Sequence, residues 1–224
     1  MNRYAENKKE INDCCKRLVE KGVFYGTGGN VSRRIPNEDK IAITPTSMDY
    51  LVMKAEDICI CDFEGSLLEG SYNPSIETMM HIAVYKNRPD IKAVVHTHQP
   101  YASTFAITGN SIPALFDEQV LLIGPSVEVV PYAMSGSDQL AENVGAAVSN
   151  RCNAFILKNH GVLILGFSIK DAEHNAALLE KTAHAYINAL AMQKGIEVLS
   201  DEATGYFFDK LKKKQDRESC LKNG

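Results

Sequence analysis

No stretch of the sequence is apolar for long enough to cross a bilayer as a helix. The first ten residues are polar and charged and lack the apolar centre of a secretory signal. Together these absences point to a cytoplasmic protein with no membrane partner. A basic run is missing from the body of the chain and the formal net charge is −4, which argues against nucleic acid as a partner. Lys210, Lys212, Lys213 and Lys214 do cluster near the C-terminus, where they read as part of a solvated polar tail from about residue 212. Zinc-framework and small-disulfide spacings are absent too: the six cysteines stand at 14, 15, 59, 61, 152 and 220. They read as reduced thiols, with Cys59 and Cys61 on one face of a strand. There is no internal repeat, low-complexity linker or break in composition, so residues 1–224 read as one domain.

Present instead is an ordinary globular composition, 45% hydrophobic and 23% charged, on a chain that can bury a sizeable core. Ile11, Cys14, Cys15, Leu18 and Val19 follow helical spacing, with Gly22 as a stop. Strands are predicted over 40–44, 57–62, 91–98, 126–132, 153–159 and 161–166. A turn is expected at 63–66. Helices are predicted over 74–87 with Ser75 as N-cap, from 99 with Pro100 in the first turn, over 136–148, and over 168–192. Strands and helices that alternate in this way indicate an α/β domain with a sheet covered on both faces.

The strand at 91–98 ends in His96-Thr97-His98. Alternate side chains of a strand share a face, so the two imidazoles form a chelating pair with Thr97 opposite. Two satisfied core histidines would leave the same spacing. His160 stands at a sharp junction between two strands, beside Gly161, which is free to take a positive φ. Glu77 falls on the first turn of a predicted helix. Three neutral imidazoles and one carboxylate satisfy zinc or a similar divalent ion, although spacing alone does not bring the four together.

Residues 26–32, GTGGNVS, imitate a dinucleotide fingerprint but fail it. The third glycine would fall at Val31, no strand-like run precedes the segment, and the ending of a phosphate-binding P-loop is missing. What remains is a glycine-rich turn with exposed N–H groups and the side-chain donors Thr27 and Asn30, the chemistry of an anion nest. Residues 44–47 (TPTS) and 73–75 (NPS) add hydroxyls. Each segment alone reads as a bland turn; the three together suit a phosphate.

The ordered motifs GTGGNVS, ITPTS, PSIE, HTH and KNHGV resemble the class II aldolase and adducin head-domain family over roughly residues 8 to 195. The resemblance implies a single three-layer α/β/α domain with a mainly antiparallel sheet, assembled as a homotetramer with active sites at subunit interfaces. It implies a divalent metal, commonly Zn2+ with Mn2+ or Co2+ as alternatives, on His96, His98 and His160, with Glu77 as a resting ligand that leaves when substrate binds and acts as general acid/base. Thr27, Gly28, Asn30, Thr46, Ser47 and Ser75 match the family's phosphate site.

The implied reaction is cleavage of a sugar phosphate, a ketose 1-phosphate, to dihydroxyacetone phosphate and an aldehyde through a metal-stabilised enediolate. Three departures bear on the substrate. Ile76 replaces a second phosphate-site serine. Asp117, followed by Glu118, replaces the tyrosine that in the family exchanges a proton with the oxygen of the leaving aldehyde. A C-terminal tyrosine has no clear counterpart, its nearest position falling among Lys212 to Lys214. Asp117 and Glu118 thus become candidates for the second catalytic group, supplied by a neighbouring subunit. They also keep pentulose-5-phosphate 4-epimerisation, dehydration and decarboxylation open as alternatives. A non-catalytic adducin-like interaction module is a further alternative, against which the full set of metal-site residues argues.

Overall fold

Branched apolar runs supply most of the strands, and the computed structural model, which describes residues 3–220, joins all of them into one sheet. The strands are β1 (Asn30–Arg34), β2 (Lys40–Ile43), β3 (Cys59–Asp62), β4 (Leu67–Glu69), β5 (Ala93–Thr97), β6 (Glu128–Val130), β7 (Ala154–Leu157) and β8 (Gly161–Gly166). Their spatial order is β4-β3-β2-β1-β5-β8-β7-β6. Every neighbouring pair is antiparallel except β6 with β7. The helices are α1 (Ala5–Glu20), α2 (Thr78–Asn87), α3 (Pro100–Thr108), α4 (Asp117–Leu122), α5 (Asp138–Ala147), α6 (Ile169–Ala191) and α7 (Asp201–Cys220). Among the described residues no helix is long and apolar enough to cross a membrane.

The period of two along each strand sorts the core into two layers. On one face, Val31, Ala42, Val95, Ile156 and Ile164 pack with Cys14 and Leu18 of α1, Phe105 of α3 and Leu179 of α6. On the other, Ile41, Cys59, Cys61, Val94, Phe155 and Leu163 pack with Ile82 of α2, Val144 of α5 and Leu211 of α7. Cys59 and Cys61 do share a face, and among the described residues all six cysteines are free thiols.

The sequence pattern and the structure differ at three places that matter. β1 escapes the apolar pattern because Asn30, Ser32 and Arg34 fill one of its faces with polar groups. The helix predicted from residue 74 starts at Thr78, so Ser75 is not its N-cap. Glu77 holds that position. Ser75 instead closes a turn: its Oγ accepts from the Glu77 N–H at 3.2 Å and its carbonyl from the Thr78 N–H at 3.1 Å. The segment read as a polar tail from about 212 is part of α7. Docking sustains that helix: Leu211 and Gln215 are buried, and Arg151 donates to Gln215 Oε1 at 2.8 Å and to the Lys212 carbonyl at 2.9 Å. A composition rich in lysine and acidic residues hides a helix whose stability comes from tertiary packing.

Candidate metal centre and adjoining pocket

The antiparallel register puts the end of β5 beside the starts of β1 and β8. Asn30 lies opposite His96, and Thr97 opposite Val162. β7 turns into β8 through residues 158–160, with Asn159 carrying the positive φ of 53°. Gly161, the residue expected from the sequence to be free for a positive φ, does not carry it. Gly161 serves a different need, since a Cβ there would sit 2.5 Å from the Thr97 carbonyl oxygen and 2.6 Å from His98 Cδ2. Its missing side chain is what lets the His160 turn close on the strand that carries His96 and His98. Gly29 plays the same part on the other side, where a Cβ would lie 2.5 Å from the His96 carbonyl oxygen.

His96, His98 and His160 are gathered so that a ligating atom of each lies within 4.8 Å of the others. His96 Nε2 is 2.9 Å from His98 Nε2 and 3.3 Å from Glu77 Oε2, and His160 Nε2 is 3.2 Å from Glu77 Oε1. Tetrahedral ligands at about 2.0–2.1 Å from zinc are about 3.3 Å apart from one another, so these separations suit a small divalent ion.

The protonation states agree with that fit. Burial takes the His96 imidazolium down to about 3, against the pull of Glu77, and burial also lowers His98. Both rings are neutral at pH 7. His96 Nδ1–H donates to the Val162 carbonyl at 2.9 Å, which leaves the Nε2 lone pair facing the centre. Burial alone would raise the Glu77 carboxyl. Positive charge on the His96 and His160 rings, when they are protonated, opposes this, hydrogen bonds from Ser135 Oγ at 2.7 Å and Asn30 Nδ2 at 2.8 Å favour the anion while the rings are neutral, and Glu77 is held well below the usual carboxylate range. Neutral nitrogen lone pairs and a carboxylate crowded this closely form the donor set of a divalent cation.

A cavity of about 170 Å³ opens in front of the centre. Thr27, Gly28, Asn30, Thr46, Ser47 and Ser75 all line it, beside Glu77, His98 and His160. Their meeting depends on pairing between loops. Pro45 bridges to Pro74, Thr46 N–H donates to the Asn73 carbonyl at 3.0 Å, and Ser75 N–H to that of Thr44 at 3.1 Å. Among the described residues no lysine or arginine lines the cavity. An anion bound there would be met by hydroxyls and N–H groups, as in a backbone nest.

The residues that match the family model of the class II aldolase and adducin N-terminal domain run from 9 to 187, the greater part of the chain. The chain belongs to this family. It is 35% identical over 204 residues to the L-fuculose phosphate aldolase of Escherichia coli strain K12, covering 91% of this chain and 93% of that protein. It is 36% identical over 181 residues to the 5-deoxy-D-ribulose 1-phosphate aldolase of Bacillus thuringiensis serovar kurstaki, covering 81% and 84%. A solved L-fuculose 1-phosphate aldolase superimposes with a TM-score of 0.87 at 33% identity, over 92% of this chain and 96% of that one. Class II aldolases depend on a divalent metal, and the three-histidine group of this family member is where one could be held.

Two of the expected site residues lie apart from the others within this class II aldolase-family chain. Asp117 and Glu118 open α4, outside the cavity lining, and half-exposed Glu118 faces His174 at 3.8 Å and Lys181 at 3.6 Å. Two further residues, Ser135 and His81, belong to the surroundings of Glu77 without being marked by a motif. Ser135 holds Glu77 from a loop whose sequence carries no signal. His81 sits one helical turn beyond Glu77, a spacing that is legible once residues 74–87 are read as a helix.

Purified protein should carry about one divalent ion per chain by elemental analysis, and His96→Ala, His98→Ala or His160→Ala should lose it. Gly161→Ala removes no ligand, yet it should weaken metal affinity about 10–100-fold, as disturbed ligand orientation does. Full metal retention in these variants would remove the site.

Proposed function

We propose that this chain is a divalent-metal-dependent aldolase that cleaves a ketose 1-phosphate to dihydroxyacetone phosphate and an aldehyde. The observation that carries the reading is a single constellation: a three-histidine centre, a buried carboxylate touching two of its rings, and a neutral-donor pocket alongside. Aldolase relatives at 35% and 36% identity support it.

A bound divalent ion, Zn2+ or in its place Mn2+ or Co2+, would supply Lewis-acid stabilisation of the negative charge that develops on the ketose carbonyl oxygen. Thr27, Asn30, Thr46, Ser47, Ser75 and the Gly28 backbone hold the phosphate, which spends remote binding energy on aligning the reacting carbons. Glu77 stands on the cavity wall with its carboxylate anchored by Ser135 and Asn30, in position to carry a proton to and from the reacting carbon. On cleavage the hydroxyl on the carbon that becomes the aldehyde loses its proton, the carbon–carbon bond electrons pass toward the ketose carbonyl, and Glu77 returns a proton, drawn from solvent, to the new carbanionic carbon.

The group that takes the hydroxyl proton is assigned to Asp117 or Glu118 of a neighbouring subunit in a homotetramer. Exposed Ile76 supports the assembly, since it presents apolar surface at the pocket, at 63% exposure. The acidic pair also favours a second reading, another reaction on the same kind of intermediate, such as pentulose-5-phosphate 4-epimerisation, dehydration or decarboxylation.

A panel of ketose phosphates assayed for dihydroxyacetone phosphate tests the reading. At least one should release it, and Glu77→Gln should lower that rate about 10²–10⁴-fold with metal and fold kept. Turnover without this product would move the assignment to the second reading.

Ser75→Ala should raise KM for the phosphorylated substrate about ten- to a hundredfold, as loss of a charge-assisted hydrogen bond does, with little effect on an unphosphorylated analogue. Equal effects on both would remove the phosphate assignment.

Light scattering should give the mass of four chains. Mixing inactive Glu77→Gln chains with inactive Asp117→Ala/Glu118→Ala chains, under conditions of subunit exchange, should restore activity. A monomer, or a dead mixture despite proven exchange, would end the shared-site model.

A further inference from the structure

Behind the cavity a chain of buried polar side chains runs from Glu77 into the protein. Asn30, Ser32 and Arg34 occupy alternate positions of β1, while Glu77, His81 and Tyr85 occupy every fourth position at the head of α2 and along it. Two strand residues advance about 6.6 Å and four helix residues about 6 Å, so the two rows stay in step. Asn30 Nδ2 meets Glu77 Oε2 at 2.8 Å, and Asn30 Oδ1 meets His81 Nε2 at 2.5 Å. His81 Nδ1 meets Ser32 Oγ at 2.6 Å, and Ser32 Oγ meets Tyr85 OH at 2.8 Å. His81 has no solvent exposure.

We propose that His81 is a positioning residue that locks the Asn30 amide with its N–H group toward Glu77 and the pocket. The direction of every bond follows from one end. An ionised carboxylate only accepts, so Asn30 must present Nδ2–H to Glu77. Its Oδ1 then faces His81, so His81 Nε2 must carry the proton. In a neutral ring Nδ1 is then bare and accepts from the Ser32 hydroxyl, whose oxygen accepts in turn from Tyr85. Burial takes the His81 imidazolium down to about 4 and raises the Tyr85 phenol, which keeps the ring neutral and the phenol a donor. Arg34 closes the row by donating to the Tyr85 carbonyl and lying 5.1 Å from the ring centre.

The consequence is selectivity. A free Asn amide could turn either its oxygen or its nitrogen to the pocket, and an oxygen there would repel both Glu77 and an anionic ligand. Glu77 sets the direction from one side, and His81 Nε2–H, holding Oδ1 on the other, keeps the amide from turning over. The effect on turnover rests on the aldolase reading, but the direction of the bonds does not.

Two measurements on the full chain separate these. With 15N-labelled histidine, long-range proton–nitrogen spectra should show His81 neutral, protonated at Nε2 and bare at Nδ1 at pH 7. The signal is assigned by its loss in His81→Gln, and its Nε2–H shift should move in Asn30→Ala. A ring protonated at Nδ1, or at both nitrogens, would overturn the proposal whatever the enzyme's activity.

In kinetics with an active ketose phosphate, His81→Phe should lower kcat/KM about ten- to a hundredfold and cause no further loss in an Asn30→Ala background. His81→Gln, which keeps an N–H donor, should recover most of the loss with metal content intact. Losses that multiply, or no recovery with Gln, would mean that His81 is only core. If no ketose phosphate is turned over, the function assignment fails while the tautomer still decides the role of His81.

Discussion

The antiparallel pairing of β5 with β8 puts Thr97 opposite Val162, and the rest of the site is built on that register. A strand alone points His96 and His98 in one direction. Only the neighbouring strand, turning through residues 158–160, brings a third imidazole to them. The approach is close enough that a single methyl group at Gly161 would collide with backbone and ring. Because the backbones of both strands are tied into the sheet on either side, by β1 and β7, the strand ends that carry the imidazoles cannot separate without breaking ladder bonds.

Burial then sets the chemistry. Removing His96 from water disfavours its charged form and leaves a lone pair available, and partial desolvation acts in the same direction on the more exposed His98. The same burial would neutralise Glu77 were it not met by a hydrogen-bond donor on each oxygen, Asn30 on one and Ser135 on the other. One environment therefore yields neutral ligands and a charged carboxylate side by side. This is a high-energy arrangement in the absence of a cation and a favourable one around it.

The polar faces of β1 and α2 extend that logic inward. A buried carboxylate needs donors, each donor needs a partner, and the row from Asn30 to Tyr85 satisfies them in sequence. It also explains why β1 carries Asn, Ser and Arg where a core strand would carry branched apolar residues. Among the described residues the pocket is lined by no lysine or arginine, so neutral hydroxyl and amide dipoles supply its polarity, held in place by loop-to-loop pairing across Pro45 and Pro74.

Local periodicity was enough to determine the strands at 91–98 and 161–166, the long helix at 168–192 and the common face of His96 and His98, because these follow from the spacing of side chains along one element. Motif order was enough to place the family. Other features needed the third dimension. The polar strand β1 exists because neighbours on both sides pair with it, and α7 because Arg151 and the core hold it. The helix at 78 starts after Ser75 because Thr44 draws that serine into a turn. Asp117 and Glu118 stand on α4, away from the pocket, for reasons of path rather than composition. His81 is an ordinary helix residue in the sequence and a donor to Asn30 only in the folded chain. Contacts between elements far apart in sequence depend on register and close approach, and these are properties of paired backbones, which no single segment encodes.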